Sequence, residues 1–208
     1  MYSQNQEDVL ISELFDRHIG PEYVGSLISI GENDGITLSN SRKFIEKGWH
    51  ALLVEPSEVC FEKLAKLYEH DPKVVLEKVC IGSNNTVVEF HESASLLNTG
   101  DYGLVSTIDD KEKSKWSKRT TYKTYTVDMV TVDRLLEKNN VKSADYLSID
   151  AEGLDLEIFR QFDLSKLNCK VVVVEWNGKN IEQFNEHARS HNFKLKHKNA
   201  ENLIYSIW

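Results

Sequence analysis

Apolar positions along the chain alternate between short consecutive runs and runs spaced as on one face of a helix. Val9, Leu10, Ile11, Leu14 and Phe15 fall at helical spacing between Glu7 and His18, behind an acidic first turn, and Gly20 with Pro21 stops the pattern. Ser26 to Ile30 is then a short apolar run ending in the polar turn Gly31-Glu32-Asn33-Asp34-Gly35. A helical pattern follows it to Lys47, with Gly48 as the stop. The unit repeats: Ala51 to Val54 reads as a strand, Pro56 breaks it, and Ser57 caps a helix carrying Phe61, Leu64, Ala65 and Tyr68. A third strand is predicted from about Val74 to Ile81. After the turn Gly82-Ser83-Asn84-Asn85 comes a strand from Val87 to Phe90. The polar stretch from there to Tyr122 reads as a hairpin and a mobile loop, an insertion at about 84–124 in a single domain covering 1–208.

The pattern resumes with alternating Tyr125, Val127 and Met129, a helix through Leu135 and Leu136, and a buried strand from Tyr146 to Ile149. A helix follows Gly153, Val171 to Val174 forms another buried strand, and Ile181, Phe184 and Ala188 mark a further helix. Strands near Phe193 to Leu195 and Leu203 to Ile207 close the chain. Strands that alternate with helices and read as continuous aliphatic runs imply a mostly parallel sheet covered on both faces, so the fold class is α/β. The last two strands are too closely spaced for a crossover helix, which makes the final strand antiparallel.

Composition narrows the function. With 25 basic against 33 acidic residues the net charge is −8, which argues against a nucleic-acid or membrane-surface protein held by its overall field. Val171 to Val174 is the longest purely aliphatic stretch, far short of the roughly 20 residues of a membrane span. The opening residues show no basic region of a secretory signal, and Cys60, Cys80 and Cys169 lack paired metal or redox spacing. The chain therefore reads as cytoplasmic, with buried thiols. The segment from Lys111 to Lys123 departs from the acidic whole. It places Lys111, Lys113, Lys115, Lys118, Arg119 and Lys123 against Glu112, interleaved with Trp116 and Tyr122. It reads as a solvated loop, or as one that closes over an anionic acceptor. His91 and the histidines at 187, 191 and 197 read as surface or helix-face residues.

In a doubly wound sheet ligands bind beyond the carboxyl ends of the strands. The residues there are Gly31, Asn33, Asp34 and Gly35, then Glu55, Cys80 to Gly82, Asp150 with Glu152, and Glu175 with Asn177. Glu55 lies 24 residues beyond Gly31, near the roughly 20-residue spacing that sets an acid against ribose hydroxyls. The third glycine of a nicotinamide fingerprint is absent, and Glu32 and Asp34 would repel a pyrophosphate at a helix N-terminus. S-adenosylmethionine, which joins a ribose to an ammonium and a sulfonium without phosphate, suits this loop.

Several blocks taken together resemble the FkbM-type S-adenosylmethionine-dependent methyltransferases. They are Tyr2 to Asp8, Ser29-Ile30-Gly31-Glu32-Asn33-Asp34-Gly35, Gly48-Trp49 through Val54-Glu55-Pro56, Thr131 to Leu136, Val174-Glu175 and, most characteristically, Leu147-Ser148-Ile149-Asp150-Ala151-Glu152-Gly153. The resemblance implies a class I methyltransferase fold, Rossmann-like, with a seven-stranded sheet and a reversed last strand. It further implies that Gly31, Asn33 and Gly35 bracket the methionine end of the cofactor and that Glu55 holds the ribose. Cys80 and Ile81 would border adenine, and Gln4, Asp34, Ser39, Pro56 and Asp150 are further cofactor contacts. Two positions depart from the family pattern: Glu32 replaces a small residue, and Leu154 stands where a histidine often follows.

An alcohol acceptor needs a general base or a metal that lowers its pKa. Asp150, Glu152 and Glu175 are the candidates for catalysis. Asp150, Glu175 and Asn177 are the candidates for a metal, Mg²⁺ by their oxygen donors. The expectation is O-methyl transfer to a hydroxyl of a sugar, glycan or small metabolite, with a homodimer partner or the middle loop completing the cleft. A nucleic-acid methyltransferase and a non-catalytic cofactor-binding protein are the competing readings.

Overall fold

The computed structural model describes residues 2–96 and 102–208. Two layers of helices enclose one mixed sheet. The strands are β1 (Ser26–Ile30), β2 (His50–Val54), β3 (Val74–Glu77), β7 (Tyr146–Ile149), β8 (Val171–Glu175), β9 (Lys194–Lys198) and β10 (Asn202–Ser206), and they lie in the order β3-β2-β1-β7-β8-β10-β9. The first five run parallel, and β10 is antiparallel to both of its neighbours. The fold is that of the class I methyltransferases, with the reversed strand where the short terminal connector requires it.

The aliphatic strands are continuous because each face meets a separate core. Ile28, Ile30, Leu147, Ile149, Val172 and Val174 pack on one side against α5 (Val132–Lys138), α6 (Asp155–Gln161) and α7 (Ile181–Ser190). Their neighbours Leu27, Tyr146, Val171 and Val173 point the other way, toward α1 (Glu7–His18), α2 (Arg42–Glu46) and α3 (Glu58–Leu67). A period of two thus sends alternate residues to opposite helix layers. Trp49 anchors the second layer, with Phe15 and Phe44 edge-on to its ring at 4.9 and 5.1 Å.

Two elements differ from the sequence pattern. The helix predicted to run from the glycine turn to Lys47 is only α2, because residues 36–41 spend their polar groups on a folded loop. Asp34 accepts the amides of Ile36 and Thr37 at 2.9 and 2.7 Å, and Leu38 has φ +56°. The strand predicted from Val74 to Ile81 divides after Glu77. Its second half is β4 (Cys80–Ile81), which leaves the main sheet and pairs in parallel with β6 (Tyr122–Val130). β6 also pairs antiparallel with β5 (Thr86–Ser93), and the resulting sheet has the order β4-β6-β5. Between β5 and β6 the chain carries α4 (Asp110–Trp116), capped by Asp109. Residues 97–101, part of the stretch read as a mobile loop, lie outside the described residues. No helix among the described residues is long and apolar enough to cross a membrane.

Candidate functional site

The carboxyl ends of β1, β2, β7 and β8 open on a cavity of 380 Å³, with β4 and the segment 103–108 completing its walls. That volume lies within the roughly 300–1,000 Å³ range of small-molecule sites. Gly31 sits where β1 and β7 nearly touch. Its φ is +79°, and a Cβ there would land on the carbonyl oxygen of Asp150. The amides of Gly31 and Glu32 both donate to the carbonyl of Val54, at 2.9 and 3.2 Å, which turns the loop toward β2.

Glu55 leaves the end of β2 and holds that loop. Its Oε2 accepts the amide of Asn33 at 2.8 Å, and its Oε1 accepts the amide of Ser57 at 2.7 Å. Each oxygen keeps a further lone pair on the cavity side. Burial pushes its pKa up to about 7, against the pull of those two amides and reinforced by Glu32 and Glu92 nearby. Glu32 is buried and takes the hydroxyls of Ser39 and Ser41, both at 2.7 Å on Oε1. The acid that departs from the family pattern therefore organises the loop between β1 and α2. Gln4 reaches the same wall through a bridge between Ser3 and Leu38.

The sequence-predicted cofactor residues divide into two groups. Gln4, Gly31, Asn33, Ser39, Glu55, Pro56, Cys80, Ile81 and Asp150 line the cavity. Asp34 and Gly35 are not among the residues that line it. Both carboxylate oxygens of Asp34 are occupied by Ile36 and Thr37, and Gly35 is small because a side chain there would strike Leu64 and Leu67 of α3. These two residues shape the loop from behind. Asn40, which the sequence did not single out, adds a buried Oδ1 without a partner to the wall.

A second group of acids stands at the ends of β7 and β8. Asp150, Glu152, Glu175 and Asn177 all line the cavity, so the structure brings together the residues singled out for catalysis and metal binding. Glu175 is 7% exposed, and its Oε2 has no hydrogen-bond partner among the described residues. Burial and the neighbouring charges of Asp150, Glu152 and Asp155 hold its carboxyl well above the usual range. Glu152 is raised for the same reasons, and Asp150 is pushed up to about 7 by burial, Asp155 and Glu55. Asp155 was not foreseen. It stands in the first turn of α6, accepts the amides of Ala151 and Gly153 at 2.7 and 3.0 Å, and is buried. One oxygen from each of Asp150, Asp155 and Glu175 lies within 4.8 Å of the others, a donor set chemically suited to a hard divalent cation.

The segment between β5 and β6 reaches these acids. Thr107 donates its hydroxyl to the carbonyl of Glu152 at 2.8 Å, and Asn33 Nδ2 donates to the carbonyl of Tyr102 at 3.0 Å. On α4, Glu112 holds Lys115 and Lys179 at 3.0 and 2.9 Å, which ties the helix to the loop after β8. Trp116, one turn on, lines the cavity, and its buried Nε1 has no partner among the described residues. Two readings of this region change. The cations of α4 do not face the cavity: Lys115 is on Glu112, and Lys113 lies 3.2 Å from His91 Nδ1. His91 is itself buried, 2.8 Å from the hydroxyl of Thr124, rather than a surface residue.

Residues 29–200 match the family model described as the methyltransferase FkbM domain. The fold is similar to that of a methyltransferase FkbM from Methylobacillus flagellatus KT, with 11% identity and a TM-score of 0.56 over 88% of this chain and 43% of that one. This chain thus spans less than half the length of that relative. It is also similar to the N-terminal domain of human METTL16, with 14% identity and a TM-score of 0.52 over 96% of this chain and 68% of that one. A putative caffeoyl-CoA O-methyltransferase from Staphylococcus aureus gives 13% identity and a TM-score of 0.51, over 99% and 84% of the two chains. At these identities the likeness is one of fold. No curated protein matches the chain.

Proposed function

The chain belongs to the FkbM methyltransferase family, a family of S-adenosylmethionine-dependent enzymes, and on that premise we propose that it transfers a methyl group to a hydroxyl of a sugar, glycan or other small metabolite. The observation that carries the reading is the orphan Oε2 of Glu175. A buried carboxylate oxygen without a donor is costly, and an acceptor O–H satisfies it while presenting its oxygen lone pair for attack.

Bound S-adenosylmethionine supplies an electrophilic methyl on its sulfonium. The chain's own residues hold and orient. Glu55, its carboxylate already aligned by two backbone amides, takes the ribose hydroxyls on its remaining lone pairs. Gly31 and Asn33 present loop backbone to the methionine end, with Gln4 and Ser39 beside them, and Pro56, Cys80 and Ile81 form the apolar edge for adenine. Glu175 accepts the proton of the acceptor hydroxyl, and Glu152 and Asp150 stand beside it in the wall. The cover made by residues 103–108 and Trp116 excludes water, which strengthens these interactions.

A second reading gives the acids a divalent cation, Mg²⁺ by their hard oxygen donors. It is favoured by the convergence of Asp150, Asp155 and Glu175 within 4.8 Å, with Asn177 beside Glu175 in the wall. There Asp150, Asp155 and Glu175 would hold the ion, which would lower the pKa of the acceptor hydroxyl.

One experiment addresses both. Methyl transfer from labelled S-adenosylmethionine to a panel of hydroxyl compounds is followed with and without EDTA, and the methylated atom is located by mass spectrometry. We expect an O-methyl product formed equally well in EDTA. Glu175→Gln should lower turnover by about 10²-fold with cofactor affinity unchanged. Full activity of that variant removes the base; activity lost in EDTA and restored by Mg²⁺ favours the cation.

A further inference from the structure

We propose that the acceptor carries an ammonium group beside the hydroxyl that is methylated, as an amino sugar does. The inference rests on the methyl-transfer reading above and adds the charge of the acceptor to it.

The cavity wall is one-signed. Glu32, Glu55, Asp150, Glu152, Glu175 and Glu201 line it, and among the described residues no Lys, Arg or His does. The five residues not described, Leu97, Asn98, Thr99, Gly100 and Asp101, include no basic side chain either. Three of the six acids have structural duties that employ their oxygens. Glu32 takes Ser39 and Ser41, Glu55 takes two backbone amides, and Glu201 takes Asn5 Nδ2 at 3.0 Å. The other three stand together at the ends of β7 and β8. Lys115 lies within electrostatic reach of Glu152 and Lys179 within reach of Glu175, but both lysines are bonded to Glu112.

S-adenosylmethionine carries two cationic groups and one carboxylate, a net charge of about +1, and leaves most of the wall uncompensated. Burial and mutual repulsion raise the pKa of Asp150, Glu152 and Glu175, and a nearby cation favours their charged form, so a second cation in the cavity is favoured and an anion is not. Asp150 and Glu152, beside Glu175 in the wall, offer that cation their carboxylates, while the Oε2 of Glu175 stays on the hydroxyl. Trp116 supplies the complementary contact. Lys115 and Arg119 already lie over its ring, at 5.0 and 5.5 Å, so it offers its unpartnered N–H to an acceptor oxygen rather than its face to the ammonium.

The test is binding of glucosamine, glucose and glucuronic acid, which share one ring and differ in charge, to the protein saturated with S-adenosylhomocysteine in EDTA at neutral pH. Glucosamine should bind about tenfold tighter than glucose, and glucuronic acid most weakly. The variants Glu175→Gln and Glu152→Gln, first checked for an unchanged circular dichroism spectrum, should each shrink the preference for glucosamine. Absence of glucosamine binding, glucuronic acid binding as tightly, or a preference untouched by both variants overturns the proposal. So does loss of the preference on adding Mg²⁺, which would make the metal the resident cation. If the preference holds but the methyl is found on nitrogen, selection by charge stands and the O-methyl reading fails.

Discussion

Glu55 shows how a single side chain joins fold to chemistry. Its two oxygens align the loops after β1 and β2 through the amides of Asn33 and Ser57, and burial lifts its pKa from an ordinary 4.5 to about 7. Between those values the folded protein holds a proton that the unfolded chain has already released, so stability falls as pH rises through the window. Thermal denaturation of the ligand-free protein from below pH 5 to above pH 7 should show this decline, and Glu55→Gln should flatten it. An identical slope in the variant would place the titration elsewhere. At this scale the sequence identified Glu55, Glu152 and Glu175 by their position after strands. A short acid in a turn can face either a ligand or its own backbone, and the amides of Ile36 and Thr37 bond Asp34 in a way the sequence did not foresee. Asp155 escaped notice because an acid in the first turn of a helix is ordinary; only folding sets it against Asp150 and Glu175.

Among the elements, the close approach of β1 and β7 is the feature most sensitive to sequence. Asp150 donates its amide to Ile30 at 2.9 Å, and the missing side chain of Gly31 is what leaves room for the Asp150 carbonyl. Gly31→Ala should therefore destabilise the protein by on the order of 3 kcal/mol, measured by urea denaturation. Gly178→Ala is the control: its φ of +73° matches, but no atom lies within 4 Å of the added carbon. It should cost only about 1–2 kcal/mol of backbone strain. Equal losses would show that conformation, not collision, governs Gly31. The helix after β1 was overextended by pattern reading because Phe44 and Ile45 keep helical spacing while the residues before them serve Glu32 and Asp34. The split between β3 and β4 was equally hidden, since Val79, Cys80 and Ile81 continue the apolar run and only pairing with Met129 and Val130 of β6 draws Cys80 and Ile81 aside.

At the scale of the whole molecule, a net charge of −8 is concentrated in part around one cavity, and a cationic cofactor should stabilise the protein beyond the filling of space. S-adenosylmethionine at about a hundred times its dissociation constant contributes about 2.7 kcal/mol. For a chain of this size that corresponds to a rise in Tm of roughly 5–10 °C, readable by calorimetry, and NAD at the same concentration should produce no rise. A rise with NAD would overturn the cofactor assignment. The sequence by itself determined the class of fold and the end of the sheet where the site lies. Aliphatic runs of four or five residues can be buried on both faces only in a covered parallel sheet, and loops after such strands face the same edge. Tertiary structure decided which acids meet, because the ends of β7 and β8 are separated by a helix in the chain and adjacent only in the sheet. It also decided that the basic segment turns its lysines away from the cavity while Trp116 lines it, with the ion pair of Glu112 and Lys179 tying α4 to the loop after β8. Local periodicity holds no information about such a contact between distant segments.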